Sequence, residues 1–123
     1  MYRLRYHHIG IPTDRDLPAE DYLPKYKCYA SGLEDSPYGI EWMKFDTVCP
    51  LPELVKKVPH IAFVTDNLTE AIAGKQILIE PNNPAKGITV AFIIDNGAPV
   101  ELLQFDNPED EIWPDNAHYS KTL

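Results

Sequence analysis

The chain is 123 residues long and carries 19 acidic residues against 11 Lys and Arg, for a formal net charge of -8. That length fits one folded domain, and 44% apolar with 24% charged residues is a globular rather than a disordered composition. An acidic surface without a Lys/Arg cluster repels phosphate backbones and anionic lipids, and no run approaches the roughly 18 to 20 apolar residues of a membrane-spanning helix, so no nucleic acid, no membrane and a cytoplasmic protein are expected.

Residues 6–12 alternate as a strand, with His8 and Gly10 on one face and Ile9 and Ile11 on the other. His7 falls opposite His8 and is expected to be an ordinary core or edge imidazole bonded to backbone. The charged, proline-broken stretch 13–22 is expected to hold at most a short turn of helix. Residues 26–30 read as a strand, 31–39 as a turn region and 40–45 as a strand. Prolines at 50, 52 and 59, with a helical turn at 53–57, mark 47–59 as the linker between two halves.

The second half is more sharply punctuated. Residues 60–65 form a strand, and Asn67 caps a short helix in which Glu70 completes a capping box, Leu68, Ala71 and Ile72 are apolar, and Gly74 is the stop. Residues 76–80 read as a strand, 81–87 as a loop and 88–94 as a β-branched strand. Asp95-Asn96-Gly97 then signals a tight hairpin into a strand at 99–105. The tail 107–123 is acidic and proline-rich, anchored by Trp113 and Tyr119, and is expected to wrap the surface or a neighbouring subunit. His118 within it has no counterpart elsewhere and is expected at the surface. Cys28 and Cys49 lack the spacing of a disulfide framework or a zinc ribbon and read as plain thiols.

The halves repeat one another. His8-Ile-Gly-Ile-Pro-Thr-Asp14 is echoed by His60-Ile-Ala-Phe-Val-Thr-Asp66, and Ile40-Glu-Trp-Met-Lys-Phe-Asp46 by Val100-Glu-Leu-Leu-Gln-Phe-Asp106. Glu101 lies 41 positions after His60 but Glu41 only 33 after His8, a deficit of about two helical turns that falls on the first helix. The reading is an α+β fold of two βαβββ-type modules, about 6–46 and 60–106, forming a curved mixed sheet with the first helix shortened or absent. Placed back to back, they bring His8, Glu41, His60 and Glu101 together, a ligand set suited to one divalent ion of the zinc, nickel, manganese, cobalt and iron group. A strand glutamate sharing its face with two large apolar residues, as Glu41 does with Met43 and Phe45 and Glu101 with Leu103 and Phe105, is expensive to desolvate unless a cation or hydrogen bonds compensate, and a metal is one such compensation.

This duplicated order, with His opening and Glu closing each half, resembles the vicinal oxygen chelate superfamily, which includes glyoxalase I, methylmalonyl-CoA epimerase, fosfomycin-resistance proteins and extradiol dioxygenases. The resemblance spans roughly residues 6–106. It implies that His8, Glu41, His60 and Glu101 hold the metal, and that a small substrate with vicinal oxygens chelates it while a carboxylate, Glu101 first and Glu41 second, moves a proton on the adjacent carbon. It also implies a homodimer. A metal-dependent lyase or isomerase of glyoxalase type is the expectation. The alternative is a non-catalytic ligand-binding module like the bleomycin-resistance proteins, which use the same fold without the ligand set. Glutathione recognition has no matching arginine here.

Overall fold

The computed structural model describes residues 1–17, 20–24 and 26–109. Its strands are β1 (Leu4–Pro12), β2 (Glu20–Leu23), β3 (Cys28–Ser31), β4 (Ile40–Phe45), β5 (His60–Thr65), β6 (Gln76–Ala85), β7 (Ile88–Asp95) and β8 (Ala98–Phe105), and its α-helices are α1 (Glu53–Lys57) and α2 (Leu68–Ile72). The strands form one mixed, curled sheet in the order β2-β3-β4-β1-β5-β8-β7-β6, a half-barrel that matches the expected fold class.

The duplication is visible in the pairing. β1 and β4 run parallel, as do β5 and β8, and the two modules meet where β1 and β5 pair antiparallel. Ile9 faces Ile61 across that seam, with His8 opposite Ala62 and Gly10 opposite His60. These pairings are symmetric about the Ile9/Ile61 contact, so equivalent residues of the two modules fall side by side. The register also sets Glu41 beside Gly10 and Glu101 beside Ala62. Two rows thus cross the four central strands on one face, Glu41–Gly10–His60 and His8–Ala62–Glu101, since residues two apart on a strand share a face.

Two elements depart from the sequence reading. The stretch expected to hold at most a helical turn ends in β2, an antiparallel partner of β3 at the sheet edge. An edge strand needs no alternating apolar pattern, which is why its charged sequence hid it. Residues 81–87, expected as a loop, mostly continue β6 to Ala85, and Pro81 and Pro84 are tolerated because β6 is the opposite edge and its register with β7 shifts repeatedly. No helix occurs between β1 and β2 among the described residues.

The second module packs as its pattern demands. Leu68 and Ala71 of α2 bury against Ala91, Ile93 and Leu102 of β7 and β8. The turn between those strands places Asn96 at φ 50 and Gly97 at φ 82, left-handed conformations that Asn and Gly tolerate best. Asn67 Oδ1 accepts from the Glu70 amide at 3.1 Å, one half of a capping box, while Glu70 Oε2 accepts from Asn67 Nδ2 at 3.2 Å and the Asn67 backbone amide donates to Thr65 Oγ1 instead. Asn67→Ala therefore costs about 1 kcal/mol and lowers the thermal midpoint by about 3 to 6 °C, as read by circular dichroism on heating.

Candidate metal centre

The sheet face carrying the two rows lines a pocket whose wall is mostly apolar, with Leu23, Met43, Val55, Ile79, Phe92 and Leu103 among its residues. His8, Glu41, His60 and Glu101 all reach it, each from a different central strand, and all within a single chain. His8, His60 and Glu41 are at most 5% exposed. Desolvation on that scale is expensive for ionised groups unless they are paired.

Glu101 is the hub of that pairing. Its Oε1 lies 3.2 Å from His8 Nε2 and 3.1 Å from His60 Nε2, and both imidazoles donate to it. Burial pushes the Glu101 carboxyl up, but the hydrogen bonds from His60 and His8 outweigh it and hold the group well below the usual carboxylate range. Burial would lower the His8 imidazole; the Glu101 hydrogen bond and the nearby Glu41 charge reverse this and raise it. Glu41 is held more loosely, its Oε1 3.7 Å from His8 Nε2. Burial pushes its carboxyl above the ordinary value, with His8 pulling back and Glu101 adding to the rise.

One nitrogen or oxygen from each of His8, His60 and Glu101 lies within 4.8 Å of the others, so these three form a group that could hold a metal ion; Glu41 borders it. Two imidazole nitrogens and a carboxylate oxygen suit a borderline divalent ion, which would take the place of the two shared protons. The backbone is shaped for the donors as well. A Cβ on Gly10 would fall on the His60 ring, 2.7 Å from Nε2, so only glycine leaves the imidazole its position. The ring is then held between His8, 5.5 Å away and edge-on, and Phe92 at 5.2 Å. Its Nδ1 is buried with no hydrogen-bond partner.

His7 requires a correction. The pairing of β1 with β5 slips between Tyr6 and His8, and this irregularity breaks the alternation that would have put His7 opposite His8. Both side chains are buried and both line the pocket. His7 bonds side chains rather than backbone, with Nδ1 2.6 Å from His8 Nδ1 and Nε2 2.9 Å from Glu109 Oε2. Glu109 belongs to the tail expected to wrap the surface or a neighbouring subunit; Trp113, His118 and Tyr119 lie outside the described residues. Tyr26 also reaches the pocket, its hydroxyl donating to Asn82 Oδ1 at 2.8 Å. Cys28 and Cys49 are free thiols, and burial pushes the Cys28 thiol up, away from the thiolate that a metal or an electrophile would need.

Compared with known proteins, the chain matches no family model and no curated protein. Among solved structures it is similar to a hypothetical protein from Bacillus halodurans C-125, with a TM-score of 0.58 and 20% identity over 86% of this chain and 96% of that one. The likeness concerns the fold. No helix among the described residues is long and apolar enough to cross a membrane.

Gly10→Ala tests the cradle. The added methyl displaces the His60 ring, destabilises the protein by about 1 to 3 kcal/mol through overpacking, and weakens zinc uptake. The same change at the exposed hairpin, Gly97→Ala, strains its turn and leaves zinc uptake unchanged.

Proposed function

We propose that this protein is a metal-dependent lyase or isomerase of glyoxalase type, acting by proton transfer on a small substrate with vicinal oxygens. His8, His60 and Glu101 hold one divalent ion, and Glu41 is the second carboxylate, beside it. The observation that carries this reading is the placement of two imidazoles and two carboxylates, from equivalent positions of a duplicated unit, in one buried pocket. When bound, the ion supplies Lewis-acid stabilisation of the negative charge that develops on a substrate oxygen, an effect of several kcal/mol.

The chain's own groups divide the remaining work. The resemblance puts Glu101 first as the proton carrier, but its oxygen is gripped by two imidazoles, which suits an anchor. Glu41 is buried and has greater freedom to approach a substrate carbon, which supports it as the base. Met43, Val55, Phe92 and Leu103 exclude water around them. Among the described residues no Arg or Lys lines the pocket, so a substrate carboxylate or phosphate would find no countercharge there beyond an ion already balanced by two glutamates. An uncharged, partly apolar hydroxyketone or diol fits that environment, and glutathione does not. Because the ligands meet within one chain, the homodimer implied by the resemblance is not needed to complete the set. A purely sequestering module would use the apolar wall alone and leave the costly polar cluster without purpose.

Two measurements test this reading. Elemental analysis of protein supplied with each candidate ion gives one ion per chain, retained in Glu41→Gln and lost in Glu101→Gln. Exchange of the carbon-bound protons of hydroxyacetone into heavy water, followed by NMR, is accelerated by the loaded wild type and falls by about 100-fold or more in Glu41→Gln. A wild type that takes up none of the ions sinks the proposal.

A further inference from the structure

The duplication that builds the cluster does not extend to the residues behind it. His8 and His60 occupy equivalent positions, so the residue equivalent to His7 is Pro59, which has no side-chain nitrogen. Accordingly, His60 Nδ1 is buried without a partner, while His8 Nδ1 has one at 2.6 Å. The asymmetry originates in the slipped pairing at His7, which turns this side chain inward, and in Glu109, 102 positions further along the chain, which meets its far nitrogen.

The chain of contacts constrains where hydrogens sit. Glu109 Oε2 is an acceptor, so His7 Nε2 carries the hydrogen between them. In a neutral His7, Nδ1 is then a bare acceptor, and the hydrogen of the 2.6 Å Nδ1···Nδ1 contact must come from His8. His8 Nε2, which donates to Glu101, would give up its hydrogen to a metal ion in that place, and the Nδ1 hydrogen held on His7 leaves the neutral ring in the tautomer whose lone pair is on Nε2. The opposite assignment requires a doubly protonated His7.

We propose that Glu109 and His7 are positioning residues that fix the ring orientation and tautomer of His8, presenting its Nε2 lone pair to the metal. This rests on the metal-binding reading above and adds a role for two residues outside the ligand set. A ligand imidazole whose other nitrogen donates to a fixed acceptor is more basic and loses less freedom on binding. Here the acceptor is a second imidazole, itself anchored by a carboxylate. His8 is thus a prepared ligand and His60 an unsupported one, held by the packing of Phe92 and by the space above Gly10.

The test is a zinc titration against a chromophoric chelator for the wild type, Glu109→Gln, His7→Phe and His7→Gln. Glu109→Gln and His7→Phe weaken zinc binding by about 10- to 100-fold. His7→Gln, whose amide oxygen can still accept from His8 Nδ1, recovers much of the loss. Thermal midpoints of the metal-free variants give a control, because a merely structural role would lower them without the selective rescue by Gln. Nitrogen-15 NMR of the zinc-loaded wild type gives the direct signature, a His8 ring protonated at Nδ1 and coordinated through Nε2. Zinc binding within about twofold of wild type in both Glu109→Gln and His7→Phe, or a His8 coordinated through Nδ1, overturns the positioning role alone. If the wild type takes up no zinc or other divalent ion, the metal-site reading falls and this role with it.

Discussion

One carboxylate oxygen shared by two buried imidazoles is the interaction on which the rest of the site depends. In water such contacts are worth little, because each partner is as well solvated alone. In this pocket the balance differs. His8, His60 and Glu41 are nearly inaccessible, and the surrounding wall is mostly Leu, Val, Met, Ile and Phe, so each ionised group needs its neighbours. Removing any one of them leaves an uncompensated charge in an apolar cavity. A divalent ion in place of the two shared protons would satisfy the same groups more completely, which is why the cluster reads as a ligand set rather than a packing accident.

The fold produces that cluster with very few specific residues. Antiparallel pairing of β1 with β5 about the Ile9/Ile61 contact is enough to bring the His8 and His60 rings to 5.5 Å between centroids, and the parallel pairings of β4 and β8 set the glutamates on the outer side of each. Small residues at the crossing points, Gly10 and Ala62, are the geometric condition. Gly10 is the stricter of the two, because the His60 ring occupies the space where its side chain would be. The curled sheet then closes a pocket over the rows, and the short helices serve the outer packing of the second module and part of the pocket wall.

Much of this was legible because it was stated twice. The echo of His8–Asp14 in His60–Asp66 fixed equivalent strand positions, and strand periodicity then fixed a common face for His, Gly and Ala. The Asn67 cap, the Asn96-Gly97 turn and the helical turn at Glu53–Lys57 were local signals and formed where local chemistry placed them. What alternation could not show was its own interruption. A one-residue slip at His7 leaves no mark in composition, yet it reverses the direction of a side chain that strict alternation had assigned to the face opposite His8. Glu109 was equally hidden, since a partner 102 residues away is set by the path of the chain after β8 rather than by any pattern near His7. The edge strand β2 and the second half of β6 were hidden for a related reason. They answer to only one neighbour, so charge and proline are permitted where a central strand would exclude them.

The second layer behind His8 also shows how a duplicated scaffold loses its symmetry. Pro59 and His7 stand at equivalent places, but only one of them can extend the hydrogen-bond network outward to a carboxylate. The two imidazoles thus face the same cavity with different support. The most direct test of the central claim is diffraction from crystals soaked with cobalt or zinc, recorded on both sides of the metal's absorption edge. A single anomalous peak per chain, at bonding distance from His8 Nε2, His60 Nε2 and a Glu101 oxygen, is the expected result. Fully soaked crystals whose anomalous peaks lie only on surface carboxylates, with Glu101 still hydrogen-bonded to both imidazoles, would contradict it.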